Sequence, residues 1–266
     1  MATAKSNSSE PGSAQSPGKW QSIFNQQDLS GWQSKITGHA FAINHHNTFG
    51  VENGYLTVSY DKYKQAGDSF EQSFGHLFFM EKLSHYKLRF DYRFIGNQLA
   101  GGAKWAYKNS GVMLHAQHPA TMAKEQYFPV SIEAQLLGAD EGQQRSTANI
   151  CTPGTIVSIK QQPVKPHCTN SQSKSFAGEQ WVHVEIEVRG NQLVNHKVNG
   201  ELVYQYTDLQ LDPKDNDAKA LLKAGAQVKL SSGYIALQSE SHPIQFKYID
   251  LMQLKTTTDA NAFAKN

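Results

Sequence analysis

Glu133 sits in the run "YFPVSIEAQLLG" (127–138), where Ser131, Glu133 and Gln135 share one parity and Val130, Ile132, Ala134 and Leu136 the other. A carboxylate set among apolar neighbours in this way is either the wet side of a half-buried strand or the floor of a site. A second titratable group, His115, holds the matching position in "SGVMLHAQ" (110–117). There Val112, Leu114 and Ala116 form the apolar set, and Met113, His115 and Gln117 face the other way. If the two segments are neighbouring strands, Glu133 and His115 share one open face. An imidazole and a carboxylate together can pass protons near neutral pH, and we take them as the catalytic pair, in either order.

Other titratable groups carry weaker signals. Asp140, Glu185, Glu187 and Glu240 are second-choice carboxylates without a motif of their own. His196 shares parity with Val194 and Val198 and reads as a hydrogen-bonded core histidine, while His45 and His46 read as part of a surface loop. No spacing of His, Cys, Asp and Glu calls for a metal, and no cofactor is expected.

The elements that must position these groups are strands. "GYLTVSY" (54–60), "HLFFM" (76–80), "YKLRFDYRFI" (86–95), "WVHVEIEVRG" (181–190), "QLVNHKVNGELVYQY" (192–206), "GYIALQSE" (233–240) and "PIQFKYIDLMQL" (243–254) join the two segments above. All have period-two or β-branched and aromatic character. "RGNQ" (189–192) and "VNGE" (198–201) place Asn or Gly where hairpin turns need positive φ. The one helical candidate is 212–225, which Asp212 and Pro213 can start and Gly225 can stop. The spacing predicts an all-β protein: a two-sheet antiparallel β-sandwich or jelly roll with a minor helical insertion.

A chain of 266 residues with 39% hydrophobic and 11% aromatic residues can bury a sizeable core, and one domain is the expectation. A formal charge of +2 with both signs interspersed gives no basic stripe, so nucleic acid is not an expected partner. No run has the length of a membrane span. Residues 1–19 are almost all small or polar and read as a disordered tether, 20–256 as a single β-jelly-roll domain, and 257–266 as a flexible tail. Such a tether suits an exported protein whose longer precursor carries a signal or a lipid anchor, with Met1 added where the signal was cut off. Cys151 and Cys168 lie 17 positions apart in a Pro- and Gly-containing stretch without CxxC spacing, and a disulfide between them fits the same periplasmic or cell-surface setting.

In order along the chain, "IFNQQDLSGW" (23–32), "KNSGVMLHAQ" (108–117), "SIEAQLLG" (131–138), "NICTPGT" (149–155), "NHKVNGELV" (195–203) and "GYIALQSESHPIQFKYIDL" (233–251) resemble the successive motifs of the 3-keto-disaccharide hydrolase domain family. The resemblance implies a concanavalin A-like fold with one concave sheet. It also implies an exported, bacterial enzyme cleaving glycosides whose glucose unit carries a ketone at C3. The family's "NSG" falls on Asn109, Ser110 and Gly111, its "E-x-Q" on Glu133 and Gln135, and its "H-x-x-N-G" on His196, Asn199 and Gly200. Many relatives carry Arg where this chain has His115, and "FRNI" reads "FKYI" here.

A ketone at C3 acidifies the proton at C2, so one base can remove it and the substituent at C1 can leave by elimination, with water adding back afterwards. Direct hydrolysis by two carboxyl groups is the other route. On either route Asn109, Gln135 and Lys104 are candidate donors to the ketone or the hydroxyls, and Trp105 and Tyr127 can stack on sugar faces. The expected partner is a carbohydrate substrate. The competing expectation is a carbohydrate-binding, lectin-like module that uses the same face without chemistry.

Overall fold

A computed structural model describes residues 18–255; most of the expected tether and all of the expected tail lie outside the described residues. Within them two antiparallel sheets face each other. The seven-stranded sheet runs, in spatial order, β12 (Cys168–Thr169), β9 (Asn149–Cys151), β8 (Ile132–Leu137), β7 (Asn109–Ala116), β16 (Gly233–Ser239), β5 (Gly75–Leu83) and β2 (Trp32–Ile36). The ten-stranded sheet runs β11 (Gln162–Pro163), β10 (Thr155–Ile159), β15 (Glu201–Leu211), β14 (Leu193–Val198), β13 (Val182–Arg189), β6 (His85–Phe94), β17 (Ile244–Gln253), β4 (Tyr55–Val58) and β3 (Phe49–Glu52), with β1 (Gln21–Ser22) pairing β17. This is the sandwich that the alternation predicts.

Strand alternation builds the core directly. Val112, Leu114, Ile132, Ala134, Leu136, Ile235 and Leu237 of one sheet meet Leu88, Phe90, Val184, Ile186 and Phe246 of the other in one continuous apolar layer. Their neighbours of opposite parity are thereby turned outward. His196 is a core histidine, as its parity indicates: its ring nitrogens bond the Ala148 carbonyl and the Tyr206 hydroxyl, each at 3.0 Å. The "VNGE" turn has Asn199 at φ 50° and Gly200 at φ 85°, which suits a tight hairpin. Among the described residues no helix is long and apolar enough to cross a membrane.

Two expectations need correction. The helix is shorter than 212–225: beside a short helix α1 (Asp61–Ala66), α2 spans Asn216–Lys223, because Asp215, not Asp212, caps it by accepting from the Ala218 N–H at 2.8 Å. The second correction concerns His115. β7 pairs Tyr234 with Ala116 and Ala236 with Met113, so β7 spends one residue more than β16 between the same two rungs. That β-bulge reverses the facing of everything beyond it. His115 takes φ 49°, Ala116 joins Met113 on the outer face, and the imidazole turns between the sheets. Gly233 makes room for the bulge, since a Cβ there would lie 2.3 Å from the His115 carbonyl carbon.

Candidate active site

Four neighbouring strands form the floor. β7 and β8 pair Met113 with Glu133 and Gly111 with Gln135, and β9 sets Cys151 opposite Glu133 and Asn149 opposite Gln135. All these side chains fall on the outer face of the seven-stranded sheet. The Glu133 carboxyl folds back across β7 and lies over Gly111, where a Cβ would meet Oε1 at 2.3 Å. The glycine of the "NSG" motif is thus a cradle for the carboxylate. On the other side of β7, Glu240 follows the last residue of β16 and keeps the outward parity of Ala236 and Gln238.

Glu133, Glu240, Asn109 and Gln135 line a cavity of about 290 Å³. Trp105 and Phe128 cover it from loops, while Pro153, His167 and the Cys151–Cys168 disulfide form one wall. The disulfide ties β9 to β12, whose residues 151 and 168 are also direct cross-strand partners. Larger hollows exist elsewhere, but they do not bring two buried carboxyls together.

The electrostatics of this pair are unusual for a sheet surface. Glu133 is 6% exposed and Glu240 3%, and among the described residues no ion pair reaches either carboxylate. Burial pushes the Glu133 carboxyl up to about 8. Burial, and then the charge on Glu133, raise Glu240 well above the usual carboxylate range, with Arg145 opposing them. Two like groups that cannot both ionise cheaply titrate as a unit, and burial favours their protonated forms well above the usual carboxylate range. When the pair carries a single proton, one carboxylate can take a proton while its partner gives one.

The remaining polar groups are held in set orientations. Gln135 Oε1 accepts from Asn149 Nδ2 at 3.2 Å, which leaves its amide N–H groups for the cavity. Asn109 Nδ2 donates to the Trp105 carbonyl at 3.4 Å, and its buried Oδ1 has no partner among the described residues. Arg145, half-buried beside Glu240, donates to the carbonyls of Tyr107, Gly138 and Trp105 and so pins the loop that carries Trp105.

Of the residues nominated from sequence, Glu133, Asn109, Gln135 and Trp105 come together. Tyr127 lines the neighbouring cavity instead, with its hydroxyl donating to Gln72. Lys104 is exposed in the short turn Lys104–Ala106 and does not line the cavity. His115 is separated from Glu133 by the bulge. Its Nε2–H donates to the Gly190 carbonyl at 3.1 Å, its ring lies 6.2 Å from that of Tyr86, and burial lowers it to about 4, so it is neutral. Cys151 and Cys168 are joined, as expected. Asp140 is exposed and paired with Lys108 at 2.8 Å. Among the described residues there is no group of three or more His, Cys, Asp or Glu side chains placed to hold a metal.

Sequence reasoning underrated Glu240 and missed Arg145, Phe128 and His167. For Glu240 a signal existed: Ile235 and Leu237 are apolar, so position 240 inherits the outward parity that made Glu133 stand out. Arg145, in "GQQRST", lies outside any periodic segment and carries none.

Comparison with known proteins gives the family and the fold. A family described as the 3-keto-alpha-glucoside-1,2-lyase-like domain matches residues 19–252. A "putative glycosyl hydrolase" from Parabacteroides distasonis ATCC 8503 is 14% identical with a TM-score of 0.51, over 89% of this chain and 100% of that one. Another structure of that description from the same organism is 16% identical with a TM-score of 0.49, over 89% and 94%. The carbohydrate-binding module CBM66 from Bacillus subtilis is 9% identical with a TM-score of 0.46, over 84% and 96%. At such identities the first of these speaks to the fold alone. No curated protein matches the sequence. The family match spans nearly the whole described region and both carboxylates: the chain belongs to the 3-keto-alpha-glucoside-1,2-lyase-like domain family and is a carbohydrate-acting protein.

Proposed function

We propose that the protein is an exported enzyme that cleaves 3-keto-glucosides by eliminating the C1 substituent, with Glu133 and Glu240 as the proton-transfer pair. The observation that carries this reading is the placement of two buried carboxyls, both raised above the usual carboxylate range, in one cavity, and the reactive form is the one in which the pair carries a single proton. The ionised member takes the proton from C2, the electron pair forms the C1–C2 double bond, and the C1–O bond breaks. The protonated member delivers its proton to the departing oxygen. The pair gains one proton and loses one, so its total charge is unchanged, with the proton now on the other carboxyl. Water then adds across the double bond to give the free 3-keto sugar.

The Gln135 amide is the donor best placed to meet the enolate oxygen that develops at C3. Trp105 and Phe128 supply flat apolar faces for the ring and keep water from the carboxyls. A disulfide in the cavity wall suits work in an oxidising compartment outside the cytoplasm.

Turnover of methyl 3-keto-glucoside in deuterated water tests the scheme. Elimination followed by hydration places deuterium at C2 of the product faster than the non-enzymatic control, whereas direct hydrolysis leaves C2 unlabelled. Binding of the sugar without turnover points instead to a lectin-like role.

A further inference from the structure

The carboxylate cavity does not end at its wall. Phe128, Pro153 and His167, which line it on one side, also line a second cavity of about 650 Å³. Hollows of about 550 Å³ and 740 Å³ elsewhere share no lining residue with the carboxylate cavity. Of these hollows, only the second cavity can receive a molecule that extends out of the first.

The reactive cavity itself, at about 290 Å³, lies at the small end of the range for ligand sites and suits one sugar ring. Its contents are indicated by two buried, unpartnered oxygen atoms, Asn109 Oδ1 and Glu240 Oε2. Such atoms call for hydrogen-bonding partners, and the hydroxyls of the oxidised ring provide them. A ring oriented with C1 towards Phe128, Pro153 and His167 would carry its C1 substituent into the second cavity.

The chemistry of the second cavity is one-sided. Glu125, Asp212, Asp215 and Asp217 line it beside Gln126 and Thr152, and no lysine or arginine does. Asp215 is fixed as the cap of α2. Partial burial and then the Asp215 charge raise the Asp217 carboxyl, the sign of a local negative field.

We propose that this second cavity is the leaving-group subsite, and that it accepts neutral hydroxyl-bearing or cationic leaving groups and rejects anionic ones. The proposal rests on the elimination reading above.

Three 3-keto-glucosides test it: one carrying methanol, one a neutral hexose and one a hexuronic acid at C1. The ratio of kcat/KM for the uronic acid to that for the neutral hexose is expected to be about tenfold below one at low salt, because like charges meet in the complex. The ratio should rise with salt, and several-fold in Asp212→Asn/Asp217→Asn. Asp217→Asn alone leaves the Asp212 turn and the Asp215 cap in place and should move the ratio the same way. A ratio of one or more in the wild type, or a ratio that neither variant moves, overturns the subsite. The methyl glucoside separates the two ideas, since its leaving group is too small to fill the second cavity. Failure to turn it over defeats the elimination reading, whereas turnover without discrimination by charge defeats the subsite alone.

Discussion

Glu133 and Glu187 are the same residue type in the same kind of place, outward on an interior antiparallel strand, yet their surroundings differ entirely. Glu187 stands on the open face of the ten-stranded sheet, 3.4 Å from Lys87 and 2.5 Å from Arg189. Glu185 beside it pairs with Lys87 and Lys197, and Arg89 with Asp250 across the next strands. Partial burial works to raise Glu187, but the Arg189 hydrogen bond and the charges of Arg189 and Lys87 hold it below the usual carboxylate range. Among the described residues no cation pairs with Glu133, and burial drives it the other way. What separates the two faces is their cover. Loops bring Trp105 and Phe128 over one sheet and a disulfide walls it, whereas the charged ladder of the other stays open to water.

The largest effect expected from this contrast is on turnover. Glu133→Gln and Glu240→Gln should each lower kcat on a 3-keto-glucoside by about 10²–10⁴-fold, the usual weight of a positioned acid or base, while Glu187→Gln stays within about twofold. If both cavity variants turn over at the wild-type rate, the assignment of the pair is wrong.

Next in size is the wall. Replacing Cys151 and Cys168 by serine should cost about 3 kcal/mol of unfolding free energy by denaturant titration, as expected for a cross-link closing a loop of this length. Turnover should fall with it. Full activity in a reduced, folded protein would show that the wall does not position the site.

Gly111→Ala is expected to cost about 1–3 kcal/mol, because the new methyl group occupies the place of the Glu133 carboxyl. It should also lower kcat. A variant as stable and active as the wild type would mean that Glu133 does not rest on β7.

The pH dependence of stability should have opposite signs on the two faces. A carboxyl raised by folding contributes stability that is fully present below its ordinary value of 4.5 and is lost as pH rises through about 8. A lowered one contributes stability present above 4.5 and lost as pH falls. Glu133→Gln should therefore flatten the loss of stability towards alkaline pH. Glu187→Gln should lower stability by about 1 kcal/mol or less above pH 4.5, with the difference vanishing as pH falls. Unfolding midpoints across pH 3–9 check both, and equal slopes in the two variants would erase the distinction.

The sandwich was legible in the sequence because its signal is redundant: each strand repeats the period-two pattern, and each hairpin repeats a turn chemistry. Glu133 was legible for the same reason, lying mid-strand where parity is firm. His115 was misplaced because a bulge needs only one residue out of step, and a histidine at φ 49° leaves no mark of the kind a glycine would. Its partner in that geometry, Gly233, lies more than a hundred positions away. Glu240 was visible in principle, but pairing it with Glu133 requires knowing that β16 and β8 flank β7. Such adjacency is a property of topology, which local pattern does not carry.

Trp105 has an optical consequence. The chain has four tryptophans. Trp32 is buried with its indole N–H on the Ile23 carbonyl, and Trp20 and Trp181 lie under Arg89 and Arg93. Trp105 is the one that lines the reactive cavity, and it is 55% exposed. A molecule settling against that ring takes water from it and shifts its emission to the blue, while the other three report a constant background. The protein thus carries its own fluorescent gauge of cavity occupancy, readable before any product forms.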